Sequence, residues 1–451
     1  MKLFNHIQHI YFLGIGGIGM SALAQYFVLN GKQVAGYDKT PGKMTEKLID
    51  LDIAISFEDN VDQIPESFDD PGNTLIVYTP AVPKDLRILE HFKSNGFQIE
   101  KRAAVLGKIT KEIPTLAVAG THGKTTTSAI LAHLLKQSGF DITAFLGGIA
   151  ENYNSNFIHD GKDACVVEAD EYDRSFLKLH PKYAAITSMD PDHLDIYGNV
   201  EELINSFEEF SNKLPAADNL FYKKGLNLEG NSVGIEMEAD FEIRNIKIHS
   251  GRYHFDLKHD GKKISNFEFS LPGRHNLMNA GMALAMAISY GATPEKLKKA
   301  LQSFKGVERR FSYRLKTGRL VVVEDYAHHP EEIKAVYQAA REMYPDKNIM
   351  AVFQPHLYSR TRDFAEEFAT SLSKFDQVVL LPIYPARELP IPGIDAKYLL
   401  RLMSVEKKKM ADKKELPETV KNMQPEVVLV LGAGDIGNEV EPLLKALNDE
   451  N

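Results

Sequence analysis

The sequence predicts an α/β protein of three domains: a Rossmann-like N-terminal domain, a central domain built on a P-loop-type phosphate loop, and a Rossmann-like C-terminal domain. Three observations carry this. Apolar strand-like runs alternate with helical stretches, the pattern of βαβ units with a parallel sheet. In each of three regions such a run ends in a glycine-rich or polar loop. With 451 residues the chain is also too long for one ordinary domain. The boundaries are expected at 1–109, 110–310 and 311–451.

Composition narrows the class. Hydrophobic residues make up 43% and charged residues 25%, as in soluble globular proteins. The formal charge is −9, with no long run of one sign. Such a chain lacks the basic footprint of a nucleic-acid binder and would be repelled by an anionic membrane. No segment approaches the ~20 apolar residues needed to span a bilayer. The one cysteine, Cys165, rules out a disulfide within the chain and argues against a thiolate metal cluster. Both features fit a reducing cytoplasm. The N-terminal apolar patch runs directly into a glycine loop and reads as a first strand rather than a signal peptide.

In the first region the strand His9–Leu13 leads into Gly14-Ile15-Gly16-Gly17-Ile18-Gly19, followed by a helical stretch from Met20 to Leu29. A second strand, Gln33–Gly36, ends at Asp38, and a third, Thr74–Tyr78, leads into Thr79-Pro80-Ala81-Val82-Pro83. The spacing G-x-G-x-x-G, with Asp38 following, suits backbone N–H groups and a helix N-terminus closing on a pyrophosphate. NAD and a nucleotide-sugar both satisfy it.

In the second region the strand Thr115–Ala119 runs into Gly120-Thr121-His122-Gly123-Lys124-Thr125-Thr126 and then a helix with Ile130, Leu131, Leu134 and Leu135 on one face. Lys124 can place a point charge on β- and γ-phosphates, and the Thr125 hydroxyl can reach Mg²⁺. Only Thr121 and His122 separate the glycines, a shorter loop than the generic one. The strands Ala164–Val167 and Tyr183–Ile186 end in Glu168-Ala169-Asp170-Glu171 and Asp190-Pro191-Asp192-His193-Leu194-Asp195. Carboxylates with one imidazole behind a phosphate loop suit Mg²⁺ or Mn²⁺ better than zinc. Residues 219–270 have short strand-like runs that suggest an antiparallel insertion. In Pro272–Ala280, His275 and Asn276 can either cap a helix or meet a nucleotide base.

Arg309 and Arg310 open the third region, as phosphate-closing arginines or as a salt-bridged hinge. Its strands are expected at Leu320–Glu324, Ile349–Phe353, Val378–Leu381 and Val427–Leu431. After the first comes Asp325-Tyr326-Ala327-His328-His329-Pro330, where a His beside an Asp suggests acid–base work. After the second comes Gln354-Pro355-His356-Leu357-Tyr358-Ser359-Arg360-Thr361-Arg362, where Arg360 and Arg362 can grip a carboxylate. The Lys-rich stretch 406–415 reads as a solvated helix face or loop. Gly432–Gly437 reads as a turn closing the domain.

Taken in order, nine motifs resemble those of the Mur ligases, in particular the alanine-adding branch, over essentially the whole chain. They are GIGGIGMSALA at Gly14, GTHGKTTT at Gly120, EADEYDRSF at Glu168, DPDHLDIYG at Asp190, GRHNLMNA at Gly273, RRF at Arg309, DYAHHP at Asp325, FQPHLYSRTRDF at Phe353 and GAGDIG at Gly432. The resemblance implies ATP-dependent joining of L-alanine to the lactyl carboxylate of UDP-N-acetylmuramate through an acyl phosphate, a step of peptidoglycan precursor synthesis. It implies that Gly14, Gly16, Gly17, Gly19 and Asp38 face the UDP-sugar, and that residues 120–126, Asn276 and Arg310 meet ATP. By the same resemblance Lys124 holds the γ-phosphate, and Thr125, Glu168 and His193 serve Mg²⁺ or Mn²⁺. His328, His356 and Arg360 would lie by the amino acid, and the third domain would close over the site. Lys124, His193, His328 and Arg360 are thus the expected catalytic set, in a cytoplasmic monomer or weak homodimer.

Two departures stand out. Many alanine-adding relatives have Arg where this chain has Leu357, which removes one cation from the amino-acid end. The carbamylated lysine of other Mur ligases has no counterpart, since the first lysine after the metal-binding His is Lys213. Three rival readings are a ligase that recycles an intact tripeptide onto the same sugar nucleotide, an NAD-dependent dehydrogenase, and a non-catalytic nucleotide-binding regulator. The FQPHLYSRTR segment speaks against the first. The Gly120 loop and its acidic strand ends speak against the other two.

Overall fold

The structure, a computed structural model, describes residues 2–191, 194–249, 251–386 and 388–448. Among the described residues the strands form three sheets. The first holds β1 (His9–Leu13), β2 (Gln33–Tyr37), β3 (Ala54–Ser56), β4 (Thr74–Tyr78) and β5 (Gln98–Lys101) in the order β3-β2-β1-β4-β5. All its pairings are parallel. The strand order reverses between β1 and β4, where open parallel sheets bind ligands beyond their carboxyl ends.

The second sheet is built from β6 (Thr115–Ala119), β7 (Ile142–Ala150), β8 (Ser155–His159), β9 (Ala164–Glu168) and β10 (Tyr183–Ile186). It continues through β11 (Leu220–Lys223), β12 (Asn231–Ile235), β13 (Phe241–His249), β14 (Arg252–His259) and β15 (Lys262–Phe269). Its order is β15-β14-β13-β12-β11-β10-β6-β9-β7-β8. Every residue of β6 is buried, which explains the apolar run Leu116–Ala119. The helix Lys124–Gln137 is buried from Thr125 to Leu135, so its sequence carries no polar stripe.

The antiparallel insertion expected over 219–270 needs correction. β11, β12 and β13 join the central sheet in parallel, extending it outward from β10. Only the last part is hairpin-like: β13, β14 and β15 are neighbours joined by two-residue connections, too short for a parallel crossover.

The third sheet holds β16 (Ser312–Lys316), β17 (Val321–Asp325), β18 (Ile349–Phe353), β19 (Gln377–Leu380), β20 (Lys407–Met410) and β21 (Val427–Leu431) in the order β16-β17-β21-β18-β19-β20. β16 runs antiparallel to β17, and the other pairings are parallel. The Lys-rich segment read as helix face or loop is in part the edge strand β20, with alternately exposed lysines. Charged side chains on an edge strand block pairing with other chains. After Gly432–Gly434 the chain continues through a 3-10 turn, Asp435–Glu439, into the helix Val440–Asn448.

The chain divides into two compact units. Unit one is Met1–Lys247, His254–Phe269 and Met278–Lys305; unit two is Ile248–Tyr253, Ser270–Leu277 and Gly306–Asn451. In unit one the first two sheets share a core: Tyr26, on the helix after the Gly14 loop, packs on Phe145 at 5.5 Å and Phe157 at 6.2 Å between ring centroids. Asn156 fastens the same helix by donating to Ile18 O at 2.6 Å. The two glycine loops therefore belong to one packed body.

Candidate active site

The loop after β6 takes its shape from two glycines. Gly120 has φ +125° and Gly123 φ +86°, a region that favours glycine. Gly123 is the residue before the helix Lys124–Gln137, whose first N–H groups lack helical partners and face an anion well. The end of β10 pins the loop. Thr187 Oγ1 donates to Ala119 O at 3.0 Å, and His122 N donates to Ser188 Oγ at 2.8 Å. The Thr121 and Ser188 hydroxyls meet at 2.9 Å, and Asp190 N donates to Thr121 Oγ1 at 3.1 Å. Thr121, Thr125 and Thr126 are buried.

Lys124 bends back over the loop. Its Nζ donates to Gly120 O at 2.7 Å and to both oxygens of Glu171, at 2.8 and 2.7 Å. Burial opposes its charge, but Glu171, Asp170 and Glu168 together outweigh burial and hold its pKa above the ordinary lysine value. Lys124 is therefore an ammonium throughout the neutral range.

Glu168 closes β9 one strand away, opposite Val118 of β6. Its Oε2 accepts the N–H of Gly147 at 3.0 Å. That N–H is available because β7 bulges: Phe145 pairs with Phe157 and Ala150 with Ser155, so β7 carries excess residues between them. A Cβ on Gly147 would stand 2.1 Å from Glu168 Oε2. Among the described residues no three His, Cys, Asp or Glu side chains gather to hold a metal ion. His193 and Asp192 lie outside the described residues. The hydroxyl of Thr125 and the anchored carboxylate of Glu168 are hard oxygen donors. They fit Mg²⁺, which is usually bound by one or two carboxylates plus phosphate oxygens rather than by an all-protein cage.

The Gly14 loop lies at the carboxyl end of β1. Gly14 N donates to Tyr37 O at 2.8 Å, and Gly17 N to Gly14 O at 3.2 Å. Asp38, at the end of β2, braces the loop by accepting Gly16 N–H at 2.8 Å. The Thr79–Pro83 segment after β4 covers Gly14, whose added Cβ would meet Thr79 and Val82 at 3.1 and 3.2 Å. Arg102 lies against Gly19, where a Cβ would meet its Nη1 at 2.7 Å. No glycine-loop motif pointed to that arginine.

Unit two carries a separate cluster. Asp325 ends β17 and accepts Phe311 N–H at 2.7 Å and Ala327 N–H at 2.8 Å, which fixes the turn to His328. Burial pushes its pKa up to about 6 against the pull of Arg310 and these bonds. His328 Nδ1 lies 2.9 Å from Tyr326 O, and Glu332 accepts the His328 N–H at 3.0 Å. The carbonyl selects the tautomer protonated at Nδ1 and leaves Nε2 as an acceptor. Burial, with Arg360 and Arg310 adding to it, keeps His328 below its ordinary pKa despite Glu332. His356 faces His328 at 6.1 Å between ring centroids and stacks on Tyr384 at 5.6 Å. Its pKa falls to about 4, through burial first and then the neighbouring His328 and Arg360. Two imidazoles that are neutral at pH 7 thus sit together within the field of Arg360.

Other candidates make contacts within the fold. His329 caps the helix Pro330–Met343, and its ring packs on Phe364 at 4.9 Å. Arg362 is exposed and paired with the adjacent Asp363 at 2.7 Å. Arg309 is salt-bridged, paired with Glu324 at 3.0 Å and donating to Gly432 O at 2.7 Å. Arg310 lies over the Tyr326 ring at 5.4 Å. Asn276 is buried and its Nδ2 donates to Pro272 O at 2.7 Å. Leu357 adopts φ +71°, ψ 136°, a strained conformation held by its N–H on Tyr384 O at 2.9 Å.

Comparison with known proteins covers the same ground. Residues 9–113 match the Mur ligase family catalytic domain, 118–287 the Mur ligase middle domain and 309–434 the Mur ligase glutamate ligase domain. A UDP-N-acetylmuramate–L-alanine ligase of Christiangramia forsetii is 58% identical over 451 residues, covering 100% of both chains. One from Flavobacterium psychrophilum is 53% identical, covering 99% of both. Among solved structures, the UDP-N-acetylmuramate-alanine ligase of Thermotoga maritima matches with TM-score 0.84 at 28% identity, covering 98% of this chain and 100% of that one. A murein peptide ligase from Psychrobacter arcticus shares the fold, with TM-score 0.70 at 19% identity over 98% of this chain and 99% of that one.

Proposed function

The chain belongs to the Mur ligase family, and from that premise we propose that it joins L-alanine to the lactyl carboxylate of UDP-N-acetylmuramate at the expense of ATP. It is an ATP-dependent carbon–nitrogen ligase of peptidoglycan precursor synthesis. Each of the three sheets serves one substrate, with divisions at 109/110 and 310/311. The observation that carries the reading is the phosphate loop Gly120–Thr125, with Lys124 charged and a strand-end carboxylate, Glu168, anchored beside it.

A carboxylate is a poor acyl donor at neutral pH. Transfer of the γ-phosphoryl group to a lactyl oxygen gives an acyl phosphate and ADP. The alanine amine then attacks the carbonyl carbon, and phosphate leaves. The first step brings two anions together, so the site must supply positive charge. Loop N–H groups and Lys124 supply it from the protein. Thr125, Glu168 and His193 would hold Mg²⁺, which when bound adds charge against the triphosphate. On this reading Asn276 and Arg310 contact ATP. The Gly14, Gly16, Gly17 and Gly19 backbone, braced by Asp38, takes the sugar-nucleotide pyrophosphate rather than NAD. Nε2 of His328 receives the amine proton, and His356 and Arg360 hold the amino acid. Leu357 adds no charge, so the amino-acid carboxylate depends on Arg360.

Lys124→Ala tests the assignment. Turnover is expected to fall by at least ~100-fold, the scale of losing one preorganised charge from a phosphoryl-transfer site, while UDP-N-acetylmuramate still binds by calorimetry. Retained turnover, or loss of sugar-nucleotide binding, would contradict it.

A further inference from the structure

The Lys124 ammonium has three N–H donors. The short contacts to Gly120 O and to the two oxygens of Glu171 use all of them. The pair is shielded: the Lys124 side chain is 12% exposed and that of Glu171 0%. The Glu171 main chain is fixed as well, since its carbonyl accepts the Tyr197 hydroxyl at 2.6 Å and Arg174 N–H at 2.9 Å. A lysine held this way can donate to a phosphate only by giving up one of these contacts, and two of the three are to Glu171. A buried carboxylate that lost its cation outright would stand uncompensated in a poor dielectric.

We propose that Glu171 is a positioning residue for the phosphate loop, the counter-anion with which a bound nucleotide must compete for Lys124. The proposal rests on the reading of Gly120–Thr125 as an ATP site. Glu171 keeps the ammonium over the loop and makes its donation to phosphate an exchange of one anion for another. Nucleotide affinity is thereby held down, and the ammonium has an anion to return to as ADP leaves.

The test is calorimetric titration of the full chain with MgADP and with a non-hydrolysable Mg–ATP analogue. Glu171→Gln removes the competing charge and leaves Lys124 in place. Its nucleotide affinity is expected to rise about tenfold, the scale of relieving one like-charge contact at a binding site, while kcat falls as release slows. Glu171→Asp draws the charge back by one methylene, so its affinity should lie between the two and its kcat should recover. A merely structural role predicts the opposite sign, because loosening the loop weakens binding. Unchanged or weaker nucleotide binding in Glu171→Gln would overturn the proposal. Should that variant fail to fold, Glu171→Asp decides by the same sign. Absence of MgADP binding in the unchanged protein would instead overturn the ATP-site reading on which the proposal stands.

Discussion

Among the histidines, environment separates the chemical from the structural. His328 and His329 are equivalent in the sequence, yet one has a free-facing ring nitrogen set by a backbone carbonyl and the other caps a helix. No local pattern encodes that difference, since it depends on where Glu332 and Phe364 arrive. His133 is a third type, buried between the Tyr153 hydroxyl at 2.7 Å and Ala300 O at 3.0 Å. Burial lowers its pKa from 6.5 to about 4, against the pull of the Ala300 bond. The unfolded chain therefore takes up this proton first as pH falls. Its contribution to stability is complete above about pH 6.5 and is lost as pH drops toward 4, about 3 kcal/mol in all. Denaturant unfolding at pH 7.5 and 4.5 should show a smaller acid loss for His133→Asn than for the parent. Parallel losses would rule this out.

Elements show where pattern reading works and where it stops. Buried parallel strands such as β1, β6 and β21 were legible because their sequences are continuous apolar runs between loops. β20 was not, because Lys407-Lys408-Lys409-Met410 becomes a strand only through its neighbour β19. The parallel course of β11–β13 was hidden too, since crossovers leave no local trace. The bulge in β7 had a signal, Gly147-Gly148 inside a strand, which marks a bulge or a close approach of backbone to another group. Its importance lay in a partner some twenty residues on, Glu168. Gly147→Ala should displace that carboxylate without disturbing the fold. The Mg²⁺ concentration for half-maximal turnover is expected to rise about tenfold, in line with losing a group that orients a metal ligand. An unchanged Mg²⁺ requirement in a folded variant would show that Gly147 does not position Glu168.

Across the whole molecule, the sequence revealed the shape of each loop better than its wiring. Gly14–Gly19 and Gly120–Thr125 were readable as glycine turns that lead from a strand into a helix. The counter-charges were not: Glu171 and Arg102 reach their loops from other elements. His193 lies outside the described residues, so its place in the metal set rests on the resemblance. Every role assigned above serves one sequence of events, in which ATP activates the lactyl carboxylate before the amine attacks. Oxygen transfer tests this most directly. UDP-N-acetylmuramate carrying ¹⁸O in its lactyl carboxylate is incubated with the protein, MgATP and L-alanine, and the released phosphate is examined by mass spectrometry. Acyl-phosphate chemistry predicts one ¹⁸O atom in each phosphate, together with a product heavier by one alanine residue. Unlabelled phosphate, or labelled phosphate that forms with the tripeptide and not with alanine, would contradict the account.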